Sequence, residues 1–428
     1  MTPTDIAVRR RYLVLLALRW LPSGLIIPIL VLLPLQRGLS LGELGLVSAI
    51  QGLTILCLEV PTGGLADTFG RRPVLLIASA LNVGSLLLLS MASSLGAFAA
   101  YFLLQGVYRA LDSGPLDSWY IDATLDLDPD ASIERGLSLG NAVMSTAIGA
   151  GALLSGLLVA WAPIPGVAAL ATPVVVAIAV RAVEFAVMAV LLHEDRTRLT
   201  AAPGAVAGRT ARLGATIRSA VRLVLRSKAL LCLLAVEICW GFGTVSFETL
   251  TPVRLTDVMD DAQAAASLMG PLTAFAWLAS AAGAALAIPA TRRIGAPLTA
   301  AALRVLHGVT VAALALFGGV IGVATAFLAC YLVHGASSPV HTAMLHRQVG
   351  AAQRTTVASL NSMVSQPSAA LGLIGLTALA GATTVPTAML VGAAVLALAA
   401  PLYLLVRAPA PRTPAGTPEA QPSGGPPP

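Results

Sequence analysis

The chain has 428 residues, 57% hydrophobic and only 11% charged, whereas a soluble domain carries about 25% charged residues; a soluble enzyme or binding module is excluded and an integral membrane protein is indicated. Aromatic content of 5%, with no ten-residue segments of alternating polarity, argues against an outer-membrane barrel and leaves helices as the spanning element. The net charge of +6 lies in short loops between apolar runs, so the positive-inside rule accounts for it without a nucleic-acid partner.

Runs of about 20 apolar residues match a hydrocarbon core of about 30 Å. Twelve are predicted as helices 1 to 12, over 12–36, 40–62, 73–93, 97–119, 136–161, 168–192, 229–252, 266–290, 297–316, 319–344, 356–380 and 384–407. The first is too long for a signal-peptide core and no small-residue cleavage site follows it. With both termini inside, only Arg37 and Arg254 of the 26 Lys and Arg fall externally, while Arg19, Arg109, Arg181 and Arg304 lie within spans. That asymmetry sets the orientation. Between helices 6 and 7, the basic stretch 196–228 places Arg218, Arg222 and Arg226 four residues apart around Leu223, Val224 and Leu225. An amphipathic helix on the inner leaflet has this pattern, and a solvated linker accounts for the same charges. The tail 408–428 is rich in Pro, Gly and Ser and is predicted to be disordered. Cys57, Cys232, Cys239 and Cys330 all lie inside apolar runs and read as small buried packing residues.

Helices 2 and 3 are joined by Gly63-Gly64-Leu65-Ala66-Asp67-Thr68-Phe69-Gly70-Arg71-Arg72-Pro73-Val74-Leu75. Its glycines allow a tight turn and Arg71 and Arg72 mark it as cytoplasmic. A topogenic loop explains the arginines, but not Asp67 and three glycines at these spacings. The stretch resembles motif A of the major facilitator superfamily, Gly-x-Leu-Ala-Asp-x-x-Gly-Arg-Arg, with Thr68 where a basic residue is usual. The resemblance implies an all-α integral membrane fold of twelve transmembrane helices in two pseudo-symmetric six-helix bundles, here 1–195 and 229–407, rocking about a central site. It also implies a latch made by Gly63, Asp67, Gly70, Arg71, Arg72 and Asp122. Asp67 would face the N-terminus of helix 11, where the dipole favours an anion, and hold the outward-facing state. Arg71 would pair with Asp122 at the inner end of helix 4, with Asp117 as second choice. A solvated carboxylate beside Asp126, Asp128 and Asp130 is the plainer reading of Asp122. A weak internal repeat accompanies the motif. The loop between helices 8 and 9, Pro289-Ala290-Thr291-Arg292-Arg293-Ile294-Gly295, keeps the bases and the glycine but has no acid, and Arg135 and Arg354 occupy matching loops.

Charges at membrane depth are costly, about 2.5–3.5 kcal/mol or more at the centre, and face cavities or partners. Helix 1 carries Arg19, helix 4 Arg109 and Asp112, helix 7 Glu237 and Glu248, and helix 10 His334 and His341. In the superfamily these four helices line the central cavity, which makes Arg19, Arg109, Asp112, Glu237, Glu248 and His334 the candidates for substrate contact and proton coupling. Simpler readings exist. Arg109 and Asp112 share a helix face and neutralise each other, as do Arg181 and Glu184 on helix 6, and His341 is a hydrogen-bonded packing residue. Glu237 has no opposite charge within a turn of its own helix and is expected to face Arg109 and Asp112 across the cavity.

Glycines 149, 151 and 156 on helix 5 permit close helix packing. The Gly-Pro pair of motif C, common in drug–proton antiporters, is absent there, and Gln105-Gly106-Val107-Tyr108-Arg109 matches motif B only in its arginine. No Walker loop offers ATP as energy source and no metal-ligand spacing occurs, so no cofactor is expected. The expectation is a monomeric bacterial inner-membrane transporter, both termini cytoplasmic, whose partners are the lipid bilayer, protons and a small amphiphilic or drug-like substrate exported against proton entry. A proton-coupled importer, or a transport-inactive sensor or scaffold, would have the same fold.

Overall fold

A computed structural model describes residues 3–62, 65, 69–128, 131–192, 222, 224–350 and 354–406. Apolar runs with too little polarity to face water form twelve antiparallel spanning helices: α1 Pro3–Ile26, α2 Leu41–Thr62, α3 Arg71–Met91, α4 Leu95–Asp112, α5 Ile133–Trp161, α6 Thr172–Leu191, α7 Lys228–Glu248, α8 Ala262–Ile294, α9 Ala296–Leu316, α10 Val320–Arg347, α11 Arg354–Ala382 and α12 Val385–Leu398. Eleven are long and apolar enough to cross a membrane by composition alone. The exception, α4, is interrupted by Gln105, Arg109 and Asp112.

Several predicted runs are broken rather than straight. The 12–36 run is α1, a 3-10 turn at Ile27–Ile29 and a short helix Leu32–Gln36, because Pro28 and Pro34 remove backbone donors. The 97–119 run breaks at Gly114, φ 93°, and resumes as Pro115–Leu125. Proline at the first turn and glycine with positive φ both favour such a restart. Beyond α7 the chain continues helically over Leu250–Met259, and beyond α12 over Ala400–Leu404.

The helices form two pseudo-symmetric six-helix bundles, α1–α6 and α7–α12. They meet where α2 packs on α11 and α5 on α8. Gly156 and Gly270 make the second contact close: a Cβ on Gly156 would lie 2.5 Å from the Ser267 carbonyl oxygen, and one on Gly270 2.6 Å from that of Ala152. Twelve alternating spans bring both chain ends to one face, the terminal face.

The buried core is continuous between the bundles only on the opposite side. There, Leu25, Val47, Phe98 and Val159 of the first bundle share one cluster with Phe247, Leu255, Met269 and Leu376 of the second. Toward the terminal face the core divides, with Tyr12, Leu75, Trp119 and Met188 in one part and Leu233, Val340, Leu360 and Tyr403 in the other. The molecule is therefore closed opposite its termini and open between the bundles on the terminal face.

Of the cysteines only Cys330 is buried; Cys57 is exposed and Cys232 and Cys239 are intermediate. The expectation of four buried thiols fails for Cys57 because its face of α2 has no helix against it. The tail 408–428 and most of 196–228, including Arg218, lie outside the described residues; Arg222 and 224–226 are helical.

Candidate functional site

Opening between the bundles leaves a cavity of about 560 Å³, walled by α1, α2, α4 and α5 and closed on one side by Ser362 and Gln366 of α11. Three of the expected residues line it: Arg19, Arg109 and Asp112. Their pairing differs from the local reading. Asp112 is held by Arg19, whose Nε donates to Oδ2 at 2.8 Å and whose Nη2 lies 2.5 Å from the same oxygen and also donates to the Asp112 backbone carbonyl. Arg109 and Asp112 are neighbours on α4, but α1 packs across them and delivers a second guanidinium to the carboxylate.

Arg109 is thereby left without an acid among the described residues. Its guanidinium sits 5.8 Å from the centre of the Trp20 ring, within the range of a cation–π contact, and its side chain is exposed to the cavity. Tyr12 donates to Asp117 at 2.8 Å near the cavity mouth, and Asn141 adds an amide. On the far side of Arg109 a cavity of 100 Å³ is bounded by Gln51, Asn82, Tyr101 and Gln105. Asn82 donates to Gln105 at 3.2 Å, while its own Oδ1 is buried without a partner. Arg181 and Glu184 form the expected α6 pair at 3.6 Å. Ser79 donates to the same Glu184 at 2.5 Å, and Arg181 also donates to the Arg19 carbonyl at 2.9 Å, which ties α6 and α3 to the pair on α1.

Glu237 does not face Arg109 and Asp112. It lines a separate cavity of 190 Å³ inside the second bundle, with Trp240, Arg304, His334, His341 and Asn361. Nor is it isolated: His341 Nε2 is 3.5 Å from Glu237 Oε2 and 3.3 Å from Asn361 Oδ1, and Nδ1 is 2.8 Å from the Tyr403 hydroxyl. With Tyr403 donating to Nδ1, the Nε2 proton points between the amide and the carboxylate. Searching for an opposite charge within a turn missed this because the partners come from α9, α10, α11 and the helix after α12. His341 is hydrogen-bonded, as its simpler reading held, to Tyr403 and Asn361, and it also lies against the Glu237 carboxylate.

His334 stacks on Trp240 at 5.9 Å and lies 5.9 Å from His307, whose two ring nitrogens are buried without partners. Glu248 ends α7, is exposed, and lines none of these cavities. Arg304, 3% exposed with Nε and Nη1 unpartnered, was visible in sequence as an arginine within a span. The rule that singled out Glu237 applied to it equally.

The two bundles carry comparable polar pairs with opposite polarity. In the first, the base is on α1 and the acid on α4; in the second, the acid is on α7 and the base on α10. The first base is an arginine, charged at any physiological pH, and the second is a histidine.

At the terminal end of α3, Arg71 Nη1 lies 2.6 Å from Asp122 Oδ2 and donates to the Ser118 carbonyl at 2.8 Å, while Arg72 donates to the Ala189 carbonyl at 2.7 Å. Gly70 caps α3 with φ 92°. Gly63 and Asp67 lie outside the described residues, as does any contact between Asp67 and α11. No group of three or more His, Cys, Asp or Glu able to hold a metal occurs among the described residues.

Many solved structures share the fold, two transporters among them. The nucleoside transporter NupG aligns over 93% of this chain and 98% of its own, with TM-score 0.77 and 14% identity. A bacterial homolog of the human lysosomal transporter Spinster, solved inward-facing and occupied, aligns over 95% and 97%, with TM-score 0.73 and 14% identity. No curated protein sequence matches the chain. The family model of the Major Facilitator Superfamily matches residues 12–372, most of the chain and nearly all of its spans, and the protein belongs to that superfamily.

Proposed function

We propose that this multi-pass transporter exports a small amphiphilic molecule in exchange for protons, with the terminal face cytoplasmic and the bundles assigned to 1–195 and 229–407. The family supports a small-molecule substrate and a monomer. The observation that carries the finer reading is the separation of two polar centres: a 560 Å³ cavity between the bundles with Arg109 over Trp20, and a 190 Å³ cavity inside the second bundle with Glu237, His341 and Arg304.

The open cavity supplies a flat aromatic face, one uncompensated cation and amides from Asn141 and Gln366, which suits a planar apolar body bearing an acidic or electron-rich group. The cavity inside the second bundle supplies proton chemistry. A proton arriving on Glu237 removes the counter-charge of Arg304 in the same cavity, and a buried charge that loses its partner destabilises the arrangement holding it. Protonation there changes the relative stability of the open and closed states, which is what coupling requires.

The test begins with a panel of toxic compounds in a host lacking its own pumps and continues with the transported compound in proteoliposomes under pH gradients of either sign. Export driven by an inward proton gradient is expected. Glu237→Gln should retain exchange without a gradient but lose gradient-driven accumulation, and Arg109→Gln should weaken substrate binding about tenfold, the scale of one hydrogen bond to a charged group. Gradient-driven movement only into the cytoplasmic side would make the protein an importer. No movement of any compound would leave a sensor or scaffold.

A further inference from the structure

The loop between α8 and α9 keeps the glycine and arginines of its first-bundle counterpart but lacks the acid, and nothing in the transport reading uses it. The structure gives it a groove of about 390 Å³ at the terminal face, formed where α8 and α10 end and α9 begins. Arg292 and Arg347 line its polar end, and Ala287, Ile288, Pro339 and Val340 its walls. Both arginines are exposed, and no carboxylate among the described residues pairs with either.

Comparison between the bundles shows what changed. Gly70 and Gly295 cap α3 and α9 with φ of 92° and 81°, and α4 and α10 each begin 25 residues later. In that register Arg71 corresponds to Ala296 and Asp122 to Arg347. The first bundle fills the position with an ion pair at 2.6 Å. The second replaces the base with a methyl group and the acid with a base, and both replacements line the groove. One change opens space and the other leaves positive charge without an internal anion. Topogenic charge alone accounts for arginines here, but not for an apolar trough leading to them from the bilayer.

We propose that the groove binds an anionic phospholipid, its headgroup phosphate between Arg292 and Arg347 and an acyl chain along the walls made by α8 and α10. Guanidinium forks match phosphate oxygens, the start of α9 presents backbone N–H groups to the same place, and basic pockets between spanning helices suit such headgroups. The inference does not depend on the direction of transport or on what is carried.

The full-length chain, purified in detergent, is titrated with phosphatidylglycerol, phosphatidylcholine or inorganic phosphate, with bound lipid counted by native mass spectrometry and stability followed by thermal unfolding. Phosphatidylglycerol should bind about 25-fold more tightly than phosphatidylcholine, given roughly fivefold for each of the two arginines at a membrane surface, and inorganic phosphate should neither bind nor stabilise. R292Q with R347Q should lose the preference. A296R with R347D, which rebuilds the first bundle's pair inside the groove, should lose it as well and keeps a folded control if the first variant is unstable. R135Q, exposed on the same face outside the groove, should retain it. Equal binding of the two lipids, stabilisation by inorganic phosphate equal to that by phosphatidylglycerol, or loss of preference in R135Q as large as in the groove variants would each overturn the proposal.

Discussion

Asp112 shows how much a single residue's role depends on what packs against it. Its sequence neighbour of opposite charge, Arg109, faces the cavity, and Arg19 from α1 takes the carboxylate through two nitrogens. Both members of the pair are 8% exposed. Removing one partner of a buried pair typically costs about 3–5 kcal/mol; with water able to reach this cavity, we expect Asp112→Asn to cost on the order of 2 kcal/mol, read as a lowered melting temperature in detergent. Arg19→Gln combined with Asp112→Asn should recover most of the loss, because neither charge is then stranded. A double variant no more stable than the single would show that the pair contributes nothing beyond packing. Sequence had flagged both residues, since charge at membrane depth is its own signal. It did not pair them, because an i, i+3 neighbour can be read from a string and a contact between helices cannot.

At the scale of helices, small residues decide where backbones approach and arginines decide how helices end. Arg37 and Arg254, the two exceptions to the charge asymmetry, have equivalent jobs: Arg37 donates to the carbonyls of Leu89, Ser90 and Ala92 at the end of α3, and Arg254 to that of Phe317 at the end of α9. Each puts a cation where the last carbonyls of a helix are unsatisfied. The glycine run of α5 does what its composition allows. Gly156 meets α8 of the other bundle, while Gly151 meets α1 of its own. A valine at position 156 would press on the Ser267 carbonyl, which as backbone cannot rotate away. Gly156→Val should cost about 1–3 kcal/mol, the range for overpacking, and should act mainly on the state in which α5 and α8 are closed opposite the termini. Spin labels across that face should move apart in the variant; unchanged distances with unchanged stability would mean that the α5–α8 contact does not hold the face shut.

For the whole molecule, the division of the core is the informative feature. One cluster bridges the bundles opposite the termini and two separate clusters sit on the terminal side, so burial of apolar surface between the bundles favours this state at one face only. A state open on the opposite side would have to break the α5–α8 and α2–α11 contacts on the closed side and form new ones on the terminal side, where the Arg71–Asp122 pair lies. Orientation in the membrane is expected from the Lys and Arg asymmetry of the loops and is testable independently of transport. Reporters fused after Arg407 and inserted near Asp260 should read cytoplasmic and external, respectively, and the same reading at both would overturn the twelve-span topology.

The sequence by itself determined the membrane class, the helical fold, the family signature around Gly70 and Arg71, and which charges lie at membrane depth. These follow from composition, run length and the local cost of charge in hydrocarbon, none of which needs a partner to be known. Tertiary structure decided the rest. Asp112 binds Arg19 rather than Arg109, and Glu237 meets His341 and Arg304 rather than the first bundle. The molecule stands open toward its termini, and the α8–α10 groove holds arginines that pair with no carboxylate among the described residues. Each of these depends on side chains brought together from separate helices, and the packing that aligns them is set by the shape of whole helix faces rather than by any one stretch of chain.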